Sequence, residues 1–359
     1  MNSIGVSLRL TLFGSSHGPG VGCVLDGVPS GLKVGQEQVQ SLVDLRKPAE
    51  GIGTLRTEED AVQIQSGIVD GVTSGGPIQF FIQNRNTDSS KYERFRNIPR
   101  PGHADYPATV RYGEAHDIRG GGQFSGRMTA PIVAAGAVAI TLLETKGIQI
   151  GAYSCSIGSI EDLKEHDFAT IRRVPWRYST RAADPKSAAS MEKEILKARS
   201  EGDSVGGVVR CLAVGLPVGV GEPFFDTLDG DLAKMMLSIP GVKGVEFGAG
   251  FRSSTMKGSQ NNDPFEIKDG KVVTVTNNAG GILGGLSNGM PLDLRVAFKP
   301  TASISKEQRS VDLAKKENTT LVIEGRHDPC IVPRAVVVVE AAAALVLADL
   351  CMRGGYIAR

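Results

Sequence analysis

Apolar residues alternate with polar ones at Val6, Leu8, Leu10 and Leu12, the period-two pattern of a half-buried strand. Residues 21–25 can pair with it. The alternation returns at Val62, Ile64 and Ile68, at 77–82, at 208–214 and at 292–298. Val39, Leu42, Val43 and Arg46 fall instead at helical spacing. Longer helical runs cover 129–146, closed by Gly147, then 185–202 and 228–237. Asp184 can cap the second of these, with Pro185 at its first position. A last helix is expected over 333–353, with Pro333 in its first turn and Gly354 as its stop. Asp269-Gly270 predicts a hairpin turn within 265–275, while 242–247 reads as extended and 321–323 as a short strand. Helices and strands do not alternate cleanly. The pattern predicts an α+β fold in which long helices cover antiparallel or mixed sheets. No linker or repeat divides the chain, so 1–359 reads as one domain.

Composition narrows the class. A net charge of +1 speaks against general nucleic-acid binding. The most apolar run, 332–351, carries Arg334, Glu340 and Asp349, so a buried helix is expected there and not a membrane span. MNSIGVSLRL lacks a basic stretch followed by an apolar one, and no signal peptide is expected. Five scattered cysteines without a C-x-x-C pair predict reduced thiols, a cytoplasmic location and no metal site. Glycine is abundant: 45 of 359 residues, nearly twice the usual share of roughly 7%. That excess predicts tight turns and backbone close to a ligand.

Candidate chemistry concentrates in 100–130, RPGHADYPATVRYGEAHDIRGGGQFSGRMTA. Glycines 120–122 free the backbone N–H groups to approach an anion, and Arg127 can grip phosphate or carboxylate with two bonds. The helix expected to follow would turn its positive end toward the same point. His103 can move a proton, and Asp105 can orient it. His17, set between glycines after the first strand in GSSHG, is a second acid–base candidate. His116 and His166 read as surface residues without a role. Residues 277–289, NNAGGILGGLSNG, offer a glycine-rich ligand wall. Lys299, Thr301 and Ser303 suit a phosphate tail, and Asp328 beside Arg326 can take a proton. These residues predict a cleft for a small polyanion with two acid–base histidines, and leave lyase, transferase and flavin binder all open.

The motifs GSSHG, RPGHAD, RGGG-x-x-S-x-R-x-TA, SI-x-x-VKGVE-x-G, NNAGGILGG-x-SNG, KPT-x-S and RHDPC occur in this order over nearly the whole chain. In this the chain resembles the chorismate synthase family. The resemblance implies a β-α-β sandwich, a homotetramer and a cytoplasmic enzyme of the shikimate pathway. It also implies an anti 1,4-elimination of phosphate from 5-enolpyruvylshikimate 3-phosphate to chorismate, dependent on reduced FMN. By resemblance, His103 protonates or holds the flavin, His17 serves as acid near the leaving phosphate or the flavin, and Asp328 assists deprotonation at the flavin. Arg46, Arg127 and Arg326 hold substrate anions, Arg326 also the flavin. Gln123, Phe124, Ser125, Pro240, Gly241, Gly284, Lys299, Pro300, Thr301, Ala302 and Ser303 align with flavin-binding positions.

The chain departs from the family pattern at Ser15, where Glu is usual, and at Gln123, Phe124 and Met128, where the family reads Arg, Ser and Glu. The loop at 45–49 reads LRKPA, and a later Arg of the family loop has no counterpart near Ile52. That loop is linked to NADPH in the family: NADPH is a cofactor only if the protein reduces its own flavin, and a separate flavin reductase is the other source of reduced flavin. An NADPH-consuming flavin oxidoreductase and a non-catalytic flavin- or anion-binding homologue are the alternatives.

Overall fold

The computed structural model describes residues 2–49, 51–54, 59–85, 89–90, 92–325 and 327–358. Two five-stranded sheets, antiparallel throughout, enclose a helical layer. In the first sheet the order is Ser3–Ile4, Arg9–Gly14, Gly20–Asp26, Ile78–Gln83, Val62–Ser66. In the second it is Val242–Phe247, Leu292–Phe298, Gly207–Val214, Gln149–Ile157, Ile160–Glu161. The central helix Thr129–Glu144 packs on the first sheet, and the C-terminal helix Val332–Arg353 packs on the second and on the central helix. One continuous apolar core joins all three layers.

Small residues make the helix pair possible. A Cβ on Gly136 would stand 2.3 Å from Cβ of Ala341, so only glycine permits this crossing. The C-terminal helix is apolar on every side because the second sheet, the central helix and the helix Leu228–Leu237 cover it, and its two buried acids are bonded. Glu340 accepts the Ala152 N–H at 2.6 Å. Asp349 accepts the N–H groups of Val6, Ser7 and Leu8 at 3.1, 2.6 and 2.8 Å, which ties the turn before the first long strand to the helix.

Several expectations change. The first long strand begins at Arg9, not Val6, and Val6 is exposed, because Asp349 claims the N–H groups of that turn. The strand near 321–323 is Glu317–Leu321, paired with Gln308–Asp312. Gln149–Ile157 has no counterpart in the sequence reading; burial on both faces erases its alternation. Residues 100–130 contain a helix, Asp105–Tyr112, that the loop reading passed over. The five cysteines are free and buried.

Candidate active site

At the N-terminal end of the central helix, a cavity of about 320 Å³ opens between the two sheets' loops. It is lined by Arg46, Arg127, Thr301, Ser303 and Asp328, which come from four separate parts of the sequence. Arg46 follows the helix Gln36–Asp44, Arg127 sits in the turn Gly126–Met128 leading into the central helix, and Asp328 precedes the C-terminal helix. Ser125 caps the Arg127 turn through its Oγ, which accepts the Arg127 N–H at 3.3 Å.

The wall of the cavity alternates charges, buried at Arg46, Asp60 and Arg127 and half-buried at Asp328 and Arg334. Asp60 accepts from Arg46 Nη2 at 2.6 Å through one oxygen and from Arg127 Nη1 through the other. Arg334 Nη1 donates to Asp328 Oδ2 at 2.5 Å, and the Thr54 N–H donates to Asp328 Oδ1 at 2.8 Å. Burial pushes the Arg46 guanidinium down to about 10, with Arg334 adding to the effect and Asp60 opposing it. Burial alone would raise the Asp60 carboxyl. The charges and hydrogen bonds of Arg46 and Arg127 outweigh it and hold Asp60 below its ordinary value.

Three polar atoms of the lining residues are buried without a hydrogen-bond partner among the described residues: Arg46 Nε, Thr301 Oγ1 and His327 Nε2. Each such atom costs about 1–3 kcal/mol if left unpaired, and more for a charged group. Their convergence on one cavity matches a ligand rich in acceptor oxygens.

The histidines flank the glycine loop. Gly120 and Gly121 take φ of 59° and 81°. A Cβ on Gly120 would lie 2.5 Å from His17 Nε2, and one on Gly121 would lie 3.2 Å from His103 Nε2. His17 Nδ1 is 2.9 Å from Ser89 Oγ, and its ring meets Tyr92 edge-on at 5.0 Å. His103 Nδ1 is 2.6 Å from Asp105 Oδ1, and Arg100 Nε donates to Asp105 Oδ2 at 2.7 Å. Burial would raise the Asp105 carboxyl, but its bonds to Arg100 and His103 hold it far below the usual carboxylate range. Lys299 Nζ donates to the Gly102 carbonyl at 2.7 Å, and its backbone N–H to that of Gly241 at 2.9 Å. Burial lowers the Lys299 ammonium, and the charge of Lys243 adds to it.

Not every sequence candidate joins the cavity lining. Ser125 and Pro240 do, and Gly241 adjoins it through Ile331. Gln123 is exposed, and Phe124 packs on His116 with ring centroids 5.8 Å apart. Gly284 lies in the turn between Ile282–Leu283 and Leu286–Ser287. Pro300 is exposed, and Ala302 lies beside Gly102. Arg326 lies outside the described residues. His116 is buried, not a surface residue, and His166 is half-buried with Nε2 2.9 Å from Asp162 Oδ2. Asp60, Arg334 and His327 were missed. Asp60 ends the acidic run Glu58-Glu59-Asp60, which looks solvated. Arg334 was read only as a charge against a membrane span, and His327 sits between two residues that were singled out.

A model of the chorismate synthase family matches residues 8–352. The chain is 51% identical over 360 residues to a chorismate synthase of Dehalococcoides mccartyi, covering 100% of this chain and 98% of the relative. It is 49% identical over 350 residues to one of Korarchaeum cryptofilum, covering 97% of each. It is also 49% identical over 357 residues to one of Methanobrevibacter smithii, covering 99% of this chain and 98% of the relative. A crystal structure of chorismate synthase superposes with a TM-score of 0.77 at 30% identity, over 98% of this chain and 93% of that one.

Proposed function

The chain belongs to the chorismate synthase family, and from that membership we propose that the cavity between Arg46, Arg127 and Asp328 is where its reaction takes place. The enzyme is a lyase that eliminates phosphate from 5-enolpyruvylshikimate 3-phosphate to give chorismate. The observation that carries the siting is the set of buried, unpartnered atoms on Arg46, Thr301 and His327, which a phosphate- and carboxylate-bearing ligand would satisfy.

Arg46 and Arg127 bind the substrate's anions, with Arg326 as a third cation. A guanidinium grips phosphate or carboxylate with two parallel bonds, and this clamp serves binding of the substrate's anions before and during the reaction alike. His17 acts as acid near the leaving phosphate. Asp105 accepts from His103 Nδ1, which fixes the ring; Nε2, with Arg100 Nη2 3.4 Å away, is the nitrogen that exchanges a proton on the glycine-loop side. Asp328 assists deprotonation, its carboxylate aimed by Arg334 and the Thr54 N–H.

Reduced FMN is the cofactor in this reading, and the donor set fits it: Ser125, Thr301 and Ser303 line the cavity, and the Lys299 ammonium stands at Gly102. Pro240 and Gly241 adjoin these residues, whereas Gln123, Phe124 and Gly284 would reach a flavin only beyond the cavity lining. When bound, the reduced flavin supplies electron density transiently to the ring that loses phosphate. In the loop after Arg46 the later Arg of the family has no counterpart near Ile52, which supports a separate reductase over reduction of the flavin by NADPH on this chain.

The continuous core supports one domain over 1–359. Phe224, Phe225 and Phe251, exposed at 89%, 97% and 83%, support a homotetramer, which light scattering tests. Five reduced, buried cysteines suit the cytoplasm. Chromatographic identification of chorismate after anaerobic incubation with substrate and reduced FMN tests the assignment; its absence refutes it.

A further inference from the structure

Arg46 and Arg127 reach the cavity from different parts of the chain, yet they share one carboxylate. Asp60 offers Oδ2 to Arg46 and Oδ1 to Arg127, so neither oxygen is spare and neither guanidinium can swing without breaking a bond. All three side chains are at most 7% exposed. Two cations so deeply enclosed repel each other, and the anion between them sets their spacing.

Asp60 is itself fixed. Its backbone sits at φ 48°, a left-handed conformation that Asp tolerates better than most residues. Its carbonyl accepts from Gln40 Nε2 at 3.2 Å, and Gln40 Oε1 accepts the Val62 N–H at 2.9 Å. On the far side, Arg127 Nε donates to Asn84 Oδ1 at 3.1 Å. Arg46 Nε, by contrast, has no partner among the described residues, so the clamp is held on one side and leaves a donor buried at the cavity on the other.

We infer that Asp60 is a positioning residue for substrate binding, holding Arg46 and Arg127 as one preformed receptor for a phosphate or carboxylate of the substrate. The inference rests on the elimination reading above but concerns binding, which can be measured without turnover. Because the arginines grip the anion before and during reaction alike, loss of Asp60 falls on binding more than on the chemical step.

The test uses the full chain and 5-enolpyruvylshikimate 3-phosphate itself, with Kd from calorimetry and kcat and KM from phosphate release with reduced FMN. Asp60→Asn is expected to raise Kd and KM at least tenfold with kcat within threefold of the wild type. Asp60→Glu keeps the charge but moves it by one methylene, and is expected to raise both about three- to tenfold. A folded Asp60→Asn protein with Kd within twofold of the wild type, or a loss confined to kcat, overturns the inference. If Asp60→Asn does not fold, an Asp60→Glu protein with Kd within twofold overturns it instead. A wild type that binds the substrate but releases no phosphate refutes the proposed function and leaves this inference standing on its Kd values.

Discussion

His103 and Asp105 stand 2.6 Å apart, Nδ1 to Oδ1, with the carboxylate anchored on its other side by Arg100. Asp105 is buried, so its charge is spent on these two neighbours. Asp105→Asn keeps the shape but removes the anion that orients the imidazole. The expected result is a fall in kcat of about 10–100-fold with little change in substrate affinity. Arg100 also loses its partner, a cost of roughly 3–5 kcal/mol, so Tm should drop as well. Steady-state kinetics below the variant's Tm check this; an unchanged kcat removes Asp105 from the account.

His17→Ala and His103→Ala should each lower turnover by about 10²–10⁴-fold while the substrate Kd moves only a few-fold. Both rings border the glycine loop and neither belongs to the arginine clamp. Calorimetry beside turnover separates the two effects. A histidine variant with full turnover has no place in the mechanism.

Glu340 lies in the C-terminal helix with its carboxyl pushed up by burial to about 8. A folded-state value above the unfolded one means that the folded chain holds the proton more tightly. Stability is then lost as pH rises from about 4.5 to about 8 and levels off above that. Glu340→Gln keeps an acceptor for the Ala152 N–H and removes the titration. It should be more stable than the wild type at pH 8, with the gap shrinking toward pH 5. Thermal unfolding across that range is the check, and a gap independent of pH contradicts it.

Gly136→Ala should separate the two core helices, because the added methyl would fall 2.3 Å from Cβ of Ala341. Overpacking of this kind costs about 1–3 kcal/mol. A clear drop in Tm is expected, and a variant as stable as the wild type would show that the crossing can relax.

Much of the fold was legible where one face is dry and the other wet. Leu292–Phe298 and Leu228–Leu237 appear at their predicted bounds, and Asp269 and Gly270 turn the hairpin with φ of 51° and 73°. Legibility fails where burial is complete, as in Gln149–Ile157, and where a polar group draws the backbone away, as Asp349 does at Val6. In the site, Arg127 and the glycines could be read because loops rich in both have few structural uses. Asp60 and Arg334 could not: their meaning lies in partners 67 and 6 residues away, and a charge without its partner in view looks solvated.

In the proposed reaction this cavity eliminates phosphate with help from reduced FMN. The most direct measurement is phosphate release from 5-enolpyruvylshikimate 3-phosphate under anaerobic conditions, once with chemically reduced FMN and once with oxidised FMN plus NADPH. One phosphate and one chorismate per substrate are expected in the first case and none in the second. No phosphate release with reduced FMN would contradict it.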